Sequence, residues 1–132
     1  MRNVLKYQLP LLLWIVVTVL VPYLQDNVFS MNLPLGTDKF VHAAVYFILC
    51  WLAQRSFYHQ TAIPPLRRSS LLGAFIFSCV YGILDEFHQV VLPGRSSNMY
   101  DVLAGVGGAL LSVAITSIIS QRRSGGGPES EG

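Results

Sequence analysis

A chain of 132 residues that is 52% hydrophobic and only 12% charged departs from the pattern of a soluble domain, in which about a quarter of residues carry charge. Its formal net charge of +2 is too small to mark a nucleic-acid partner, and its length fits one domain. Cys50 and Cys79 both fall in apolar runs without metal-type spacing, so they read as small packing residues.

Residues 4–24 form an apolar run broken by Lys6, Tyr7, Gln8, Pro10 and Pro22. The basic start and apolar middle suit a signal peptide, but Val21-Pro22-Tyr23-Leu24 offers no small-residue cleavage site, so the segment reads as a retained first transmembrane helix. Asp26, Asn27, Asn32, Pro34 and Gly36 then mark a turn-rich loop. A second helix opens at Thr37 or Asp38, either of which can cap its first amides, and runs to about residue 54. At 1.5 Å per residue it spans roughly 25 Å, short of the ~30 Å hydrocarbon core.

Residues 55–70, with Pro64, Pro65, Arg67 and Arg68, read as a polar loop. The third helix covers residues 70–92 and stops at Pro93-Gly94. After a short polar turn, Ser97 or Asn98 can cap a fourth helix over residues 100–120. Within it Ala104, Gly108 and Ser112 recur at four-residue spacing, as do Gly105 and Ala109. That is the small-residue pattern that lets membrane helices approach closely. The expected fold is all-α, with a transmembrane four-helix domain over residues 1–120 and a disordered cytoplasmic tail over residues 121–132.

Lysine and arginine set the expected orientation. With both termini cytoplasmic, Arg2, Lys6, Arg55, Arg67, Arg68, Arg122 and Arg123 lie inside, and only Lys39 and Arg95 lie outside. The chain is then a multi-pass protein of the cytoplasmic membrane, and Asp38, Lys39, Arg95 and Asp101 sit at its extracytoplasmic face.

The chemistry concentrates between Tyr81 and Asp101. Asp85, Glu86, His88 and Gln89 interrupt a segment otherwise apolar enough for lipid. An ionisable group at membrane depth costs roughly 2.5 to 3.5 kcal/mol and therefore needs a partner or a function. Tyr81, Asp85 and Gln89 share one helical stripe, as do Asp38, His42 and Tyr46 on the second helix. Counted from the outer helix ends, His42 and His88 both lie roughly 6 Å deep and Asp85 roughly 10 Å deep, so the two stripes can face each other. Glu86 points about 100° away from Asp85 and need not share its partner.

Asp85, Glu86, His42 and His88 form a candidate acid/base cluster, because paired carboxylates and imidazoles can divide proton transfer between them. Arg95 and Ser96, in a turn before a helix N-terminus, suit a phosphate or carboxylate, and Asp38, Gln89, Asp101, Tyr46 and Tyr81 complete a binding rim. His42, Asp85, Glu86 and His88 are also zinc or manganese ligand types, but their spacing matches no metal motif. No cofactor is expected, and a divalent metal is a secondary option. The expected partners are the bilayer and a lipid-linked or phosphate-bearing head group, with an oligomer left open. Duller readings stand beside these: Asp38 as a cap, Asp101 as a complement to the helix dipole, Tyr46 and Tyr81 as packing residues, and the whole cluster as a polar staple between helices. A non-enzymatic binding or scaffold protein and a proton-coupled transporter element are the other function classes.

Asp38-Lys39-x-x-His42-x-x-x-Tyr46, then Tyr81-Gly82-x-x-Asp85-Glu86-x-x-Gln89-x-x-x-Pro93-Gly94-Arg95-Ser96, then Asp101 and Gly108, resemble the VanZ-like family of small bacterial membrane proteins. The resemblance covers about residues 36–112. It departs from the family at Gly105, where the family pattern has asparagine, and at Ser112, where it often has glycine. The resemblance implies a multi-helix membrane protein of the bacterial cell envelope, in keeping with the inner membrane. The family's founding member is associated with resistance to the glycopeptide teicoplanin. The resemblance supplies no defined reaction, and extending antibiotic resistance to this chain is analogy at the level of the fold; the polar residues themselves suggest a lipid-linked or cell-wall substrate.

Overall fold

A proline shapes the start of the chain. Pro10 has no N–H to return to the carbonyl four residues back, and a π-helical turn, Val4–Gln8, precedes the first α-helix, α1 (Leu9–Val28). Such wider turns absorb a missing helical bond. In the computed structural model, which describes residues 4–28, 37–91 and 98–125, the chain continues through α2 (Thr37–His59), α3 (Pro64–Arg68), α4 (Ser70–Val90) and α5 (Met99–Gly125). Among the described residues there is no strand, and the expected all-α class holds.

α2 is the central element and packs against α5, α4 and α1. Its apolar residues are spread around its circumference, as a helix with several neighbours requires. Leu49, Cys50 and Ala53 are almost wholly buried. Both cysteines are free, and Cys50 packs in the core.

The closest approach is between α2 and α5. A Cβ at Gly108 would overlap the Ala43 carbonyl, so the two backbones meet there without a side chain between them. Gly105, Gly108, Ala109 and Ser112 are all buried along this seam, which is what the small-residue spacing predicts. α1 is tied on by Trp14 Nε1, which donates to the Val45 carbonyl at 3.2 Å. Leu12, Val16, Phe40, Leu72, Leu84, Phe87, Leu103 and Leu110 lie exposed on the four long helices, an apolar surface that suits lipid and not water.

Three helices, α2, α4 and α5, are long and apolar enough to cross a membrane, while the apolar part of the first segment, Leu5–Leu20, is shorter. Two helices outrun their expected ends. α2 continues to His59 rather than stopping near residue 54, because residues 55–59 contain neither proline nor glycine. The Gln60 side chain then closes the turn, donating to the Ile63 carbonyl and accepting from the Ile63 amide. The expected loop over residues 55–70 also holds α3, with Pro64 at its first position, where a missing N–H costs nothing. α5 runs to Gly125, five residues past its expected end at 120 and into the expected tail. The rest of that tail and the Pro93-Gly94 stop lie outside the described residues.

Candidate functional site

The polar residues converge where α2 begins, α4 ends and α5 begins. Tyr46 is the pivot. Its ring lies in a slot between glycines of two other helices: a Cβ at Gly82 would stand 3.2 Å from Cε1 and one at Gly105 2.9 Å from Cδ2. Glycine at 105, the departure noted above, therefore makes room for the Tyr46 ring. The slot aims the hydroxyl at α4, where it donates to Asp85 Oδ2 at 3.0 Å. Gln89 Nε2 donates to the same oxygen at 3.0 Å. The carboxylate predicted to need a partner at depth has two, one from a facing helix and one from a turn away on its own.

Glu86 serves a different neighbour, as its angular offset requires. Its Oε1 accepts from the Asn98 amide at 2.6 Å, strapping α4 to the segment that enters α5. Asn98 Oδ1 in turn accepts from the Tyr100 amide at 3.0 Å, an N-cap for α5. Of the two caps the sequence offers there, Asn98 is the one seen, and Ser97 lies outside the described residues.

At the rim, His42 Nδ1 stands 3.1 Å from the Asp38 carbonyl oxygen and 3.7 Å from Asp38 Oδ1. A carbonyl only accepts, so in this bond Nδ1 is the donor. Asp38 itself is exposed. Lys39 Nζ lies 3.8 Å from Asp101 Oδ1. Asp101 is buried at 8% exposure, and its Oδ1 has no hydrogen-bond partner among the described residues. His42, Glu86 and Asp101 together line a small cavity of ≈ 10 Å³, with Tyr46, Cys79 and Gly105 among its other walls. That is room for about one water.

The predicted residues thus divide into groups. Asp85, Tyr46 and Gln89 form a hydrogen-bonded triad, while His42, Glu86 and Asp101 face the cavity with Asp38 and Lys39 outside it. His88 is half-buried on α4 and does not line the cavity. Tyr81 turns away to α1, its hydroxyl 2.7 Å from Thr18 Oγ1, which also donates to the Ile15 carbonyl. Arg95 and Ser96 lie outside the described residues. For a metal, the ligand atoms that approach one another are those of Asp38, His42 and Asp101, all within 4.8 Å. The expected option drew instead on His42, Asp85, Glu86 and His88, of which Asp85 and Glu86 already accept from protein donors.

One participant escaped the sequence reading, and so did one role of another. Thr18 is a buried hydroxyl in an apolar run, and that lone polar residue is the signal that marks it. Asn98 acts through its backbone as well as its side chain, and no residue pattern reports a backbone donor.

A family model described as VanZ/LLP1 matches residues 5–120 of the chain. No curated protein matches it, and neither does any solved structure.

Proposed function

The chain belongs to the VanZ/LLP1 family, and on that premise we propose that it is a cell-envelope protein of the cytoplasmic membrane whose polar end binds the head group of a lipid-linked or cell-wall substrate at the outer face. The proposal takes all four long helices as spans and both termini as cytoplasmic. The seven basic residues assigned to the inner side against Lys39 and Arg95 outside support that orientation, and the short Leu5–Leu20 stretch is accommodated by thinned bilayer or interfacial anchoring.

The observation that carries the binding reading is Asp101. A buried carboxylate oxygen without a hydrogen bond is expensive, and this one belongs to a residue that lines the same cavity as His42 and Glu86. Lys39 offsets the charge from outside, yet at 3.8 Å it leaves the acceptor open. An O–H or N–H of a sugar or amine head group is the complement that satisfies it. Among the described residues of this end, Asp38, Glu86 and Asp101 outnumber Lys39, which favours such donors over a bare phosphate.

An acid/base role is the second reading. It is favoured by His42, an imidazole that lines the cavity with two carboxylates. A bound divalent cation at Asp38, His42 and Asp101 is compatible with their spacing, but the Lys39 ammonium already sits against the Asp101 oxygen.

The test is binding of a lipid-linked cell-wall precursor to the purified chain in lipid nanodiscs, comparing the parent with Asp101→Asn. Loss of a hydrogen bond to a charged group predicts about tenfold weaker binding or more, with the unfolding temperature unchanged or raised because the desolvated charge is gone. Equal binding by parent and variant, or a variant that unfolds at lower temperature, would show that Asp101 serves the fold and not a ligand.

A further inference from the structure

A second cavity, ≈ 650 Å³, opens at the opposite end of the bundle between the π-helical turn, α2 and α5. Its size falls within the ~300–1,000 Å³ of small-molecule sites. Its walls include Tyr7, Trp51, Arg55, His59, Ser120 and Arg123, and among the described residues no aspartate or glutamate. The Arg55 guanidinium lies over the Trp51 ring at 4.9 Å and the Tyr7 ring at 5.5 Å. Those faces fix its plane without neutralising its charge. Neither Arg55 nor Arg123 takes part in a salt bridge among the described residues. Lys6, 5.3 Å from the Tyr7 ring, and Arg67, 6.0 Å from the Tyr58 ring, add positive charge around the rim.

Position matters as much as charge. Arg55 stands one residue past the end expected for α2, and Arg123 four residues past Ile119, the last apolar residue of α5, both in the helical turns that outrun the expected ends. That is the level where hydrocarbon gives way to head groups, and tryptophan and tyrosine rings favour the same level.

We propose that this cavity holds the phosphate of an anionic membrane phospholipid, with Arg55 and Arg123 on its oxygens. The planar fork of arginine matches phosphate, and basic pockets between membrane helices take such head groups. Trp51 and Ile119 also line the cavity, offering apolar surface to the upper acyl chain that a soluble phosphate compound lacks. The site shares no residue with the Asp101 end, so either proposal can fail alone.

The experiment is native mass spectrometry of the full chain in detergent, titrated with phosphatidylglycerol, phosphatidylcholine and inorganic phosphate. Phosphatidylglycerol is expected to be retained over phosphatidylcholine. Each of Arg55→Gln and Arg123→Gln is expected to weaken it about fivefold, the equivalent of about 1 kcal/mol per basic residue near a membrane surface. Arg55 packs on two rings, so its loss also threatens the local fold. Arg123 is exposed, and Arg123→Gln, with an unchanged unfolding temperature, is the deciding variant. Equal retention of the two lipids, or an undiminished preference in Arg123→Gln, overturns the proposal. Arginine-dependent binding of inorganic phosphate without a preference between the lipids also overturns it, and assigns the site to a soluble phosphate compound.

Discussion

At the Asp38–Asp101 end of the bundle, charged groups meet partners at short range and the space between helices shrinks to ≈ 10 Å³. At the Arg55–Arg123 end, guanidinium groups rest on aromatic faces or in the open, around ≈ 650 Å³. The difference follows from depth and helix geometry. Asp85 and Glu86 lie inside a span, where an unpaired charge is costly, and α2 and α5 close around them because Gly105 and Gly108 let the backbones touch. Arg55 and Arg123 lie near the ends of α2 and α5, where a charge costs less than at the centre of a span, so nothing forces the helices together. One end is closed by its own side chains except at the Asp101 oxygen, and the other is left for something else to fill.

The harshest way to break this contrast is to pry the closed end apart. Gly108→Leu drives a side chain into the Ala43 carbonyl, a backbone atom that cannot swing aside, and is expected to cost more than about 3 kcal/mol and to prevent recovery of folded protein. A Cβ at Gly107, by contrast, meets nothing within 4 Å, so Gly107→Leu is expected to stay within about 0.5 kcal/mol of the parent. Size-exclusion profiles and unfolding midpoints in detergent measure both. Similar behaviour of the two variants would deny the close approach of α2 and α5.

A milder intervention removes one donor and keeps the packing. Tyr46→Phe fills the same slot but leaves Asp85 Oδ2 with Gln89 alone, and is expected to cost about 1 to 3 kcal/mol in an unfolding titration. An unchanged midpoint would mean that Asp85 does not depend on the Tyr46 hydroxyl. Smallest of the three is Asn98→Ala, which removes the cap on Tyr100 but keeps the backbone bond to Glu86. Its expected cost is about 1 kcal/mol, and it should leave the Arg55–Arg123 end unaltered in lipid binding.

Much of the closed end was legible in the sequence, because membrane depth makes polar residues conspicuous and helical spacing says which of them share a face. The facing of the Tyr46 stripe and the Asp85 stripe, the offset of Glu86, the cap at Asn98 and the small residues of α5 all follow from that logic. Tyr81 shows its limit. It shares the Asp85 stripe, yet its hydroxyl goes to Thr18 on α1, because a long side chain reaches sideways and spacing along one helix does not say which neighbour lies within its reach. The open end was less legible for a different reason. Gln54 and Arg55 end the apolar span, and polarity was read as the end of the helix. Helices stop at breakers and caps rather than at charges, and the next breakers after Arg55 are Pro64 and Pro65. The cavity at that end depends on those extra turns, and on the approach of Tyr7 and Arg123 from distant parts of the chain, which periodicity does not encode.

The proposed head-group site requires the carboxylate end of the bundle to face outward. The direct measurement is labelling of intact cells by a membrane-impermeant maleimide in a background lacking Cys50 and Cys79, with single cysteines introduced as Asp38→Cys or Ser124→Cys. Both positions are exposed. Labelling at position 38 and none at position 124 until the cells are opened is the predicted result. Labelling of position 124 on intact cells, or protection of position 38, would contradict the orientation and with it the outward-facing head-group site.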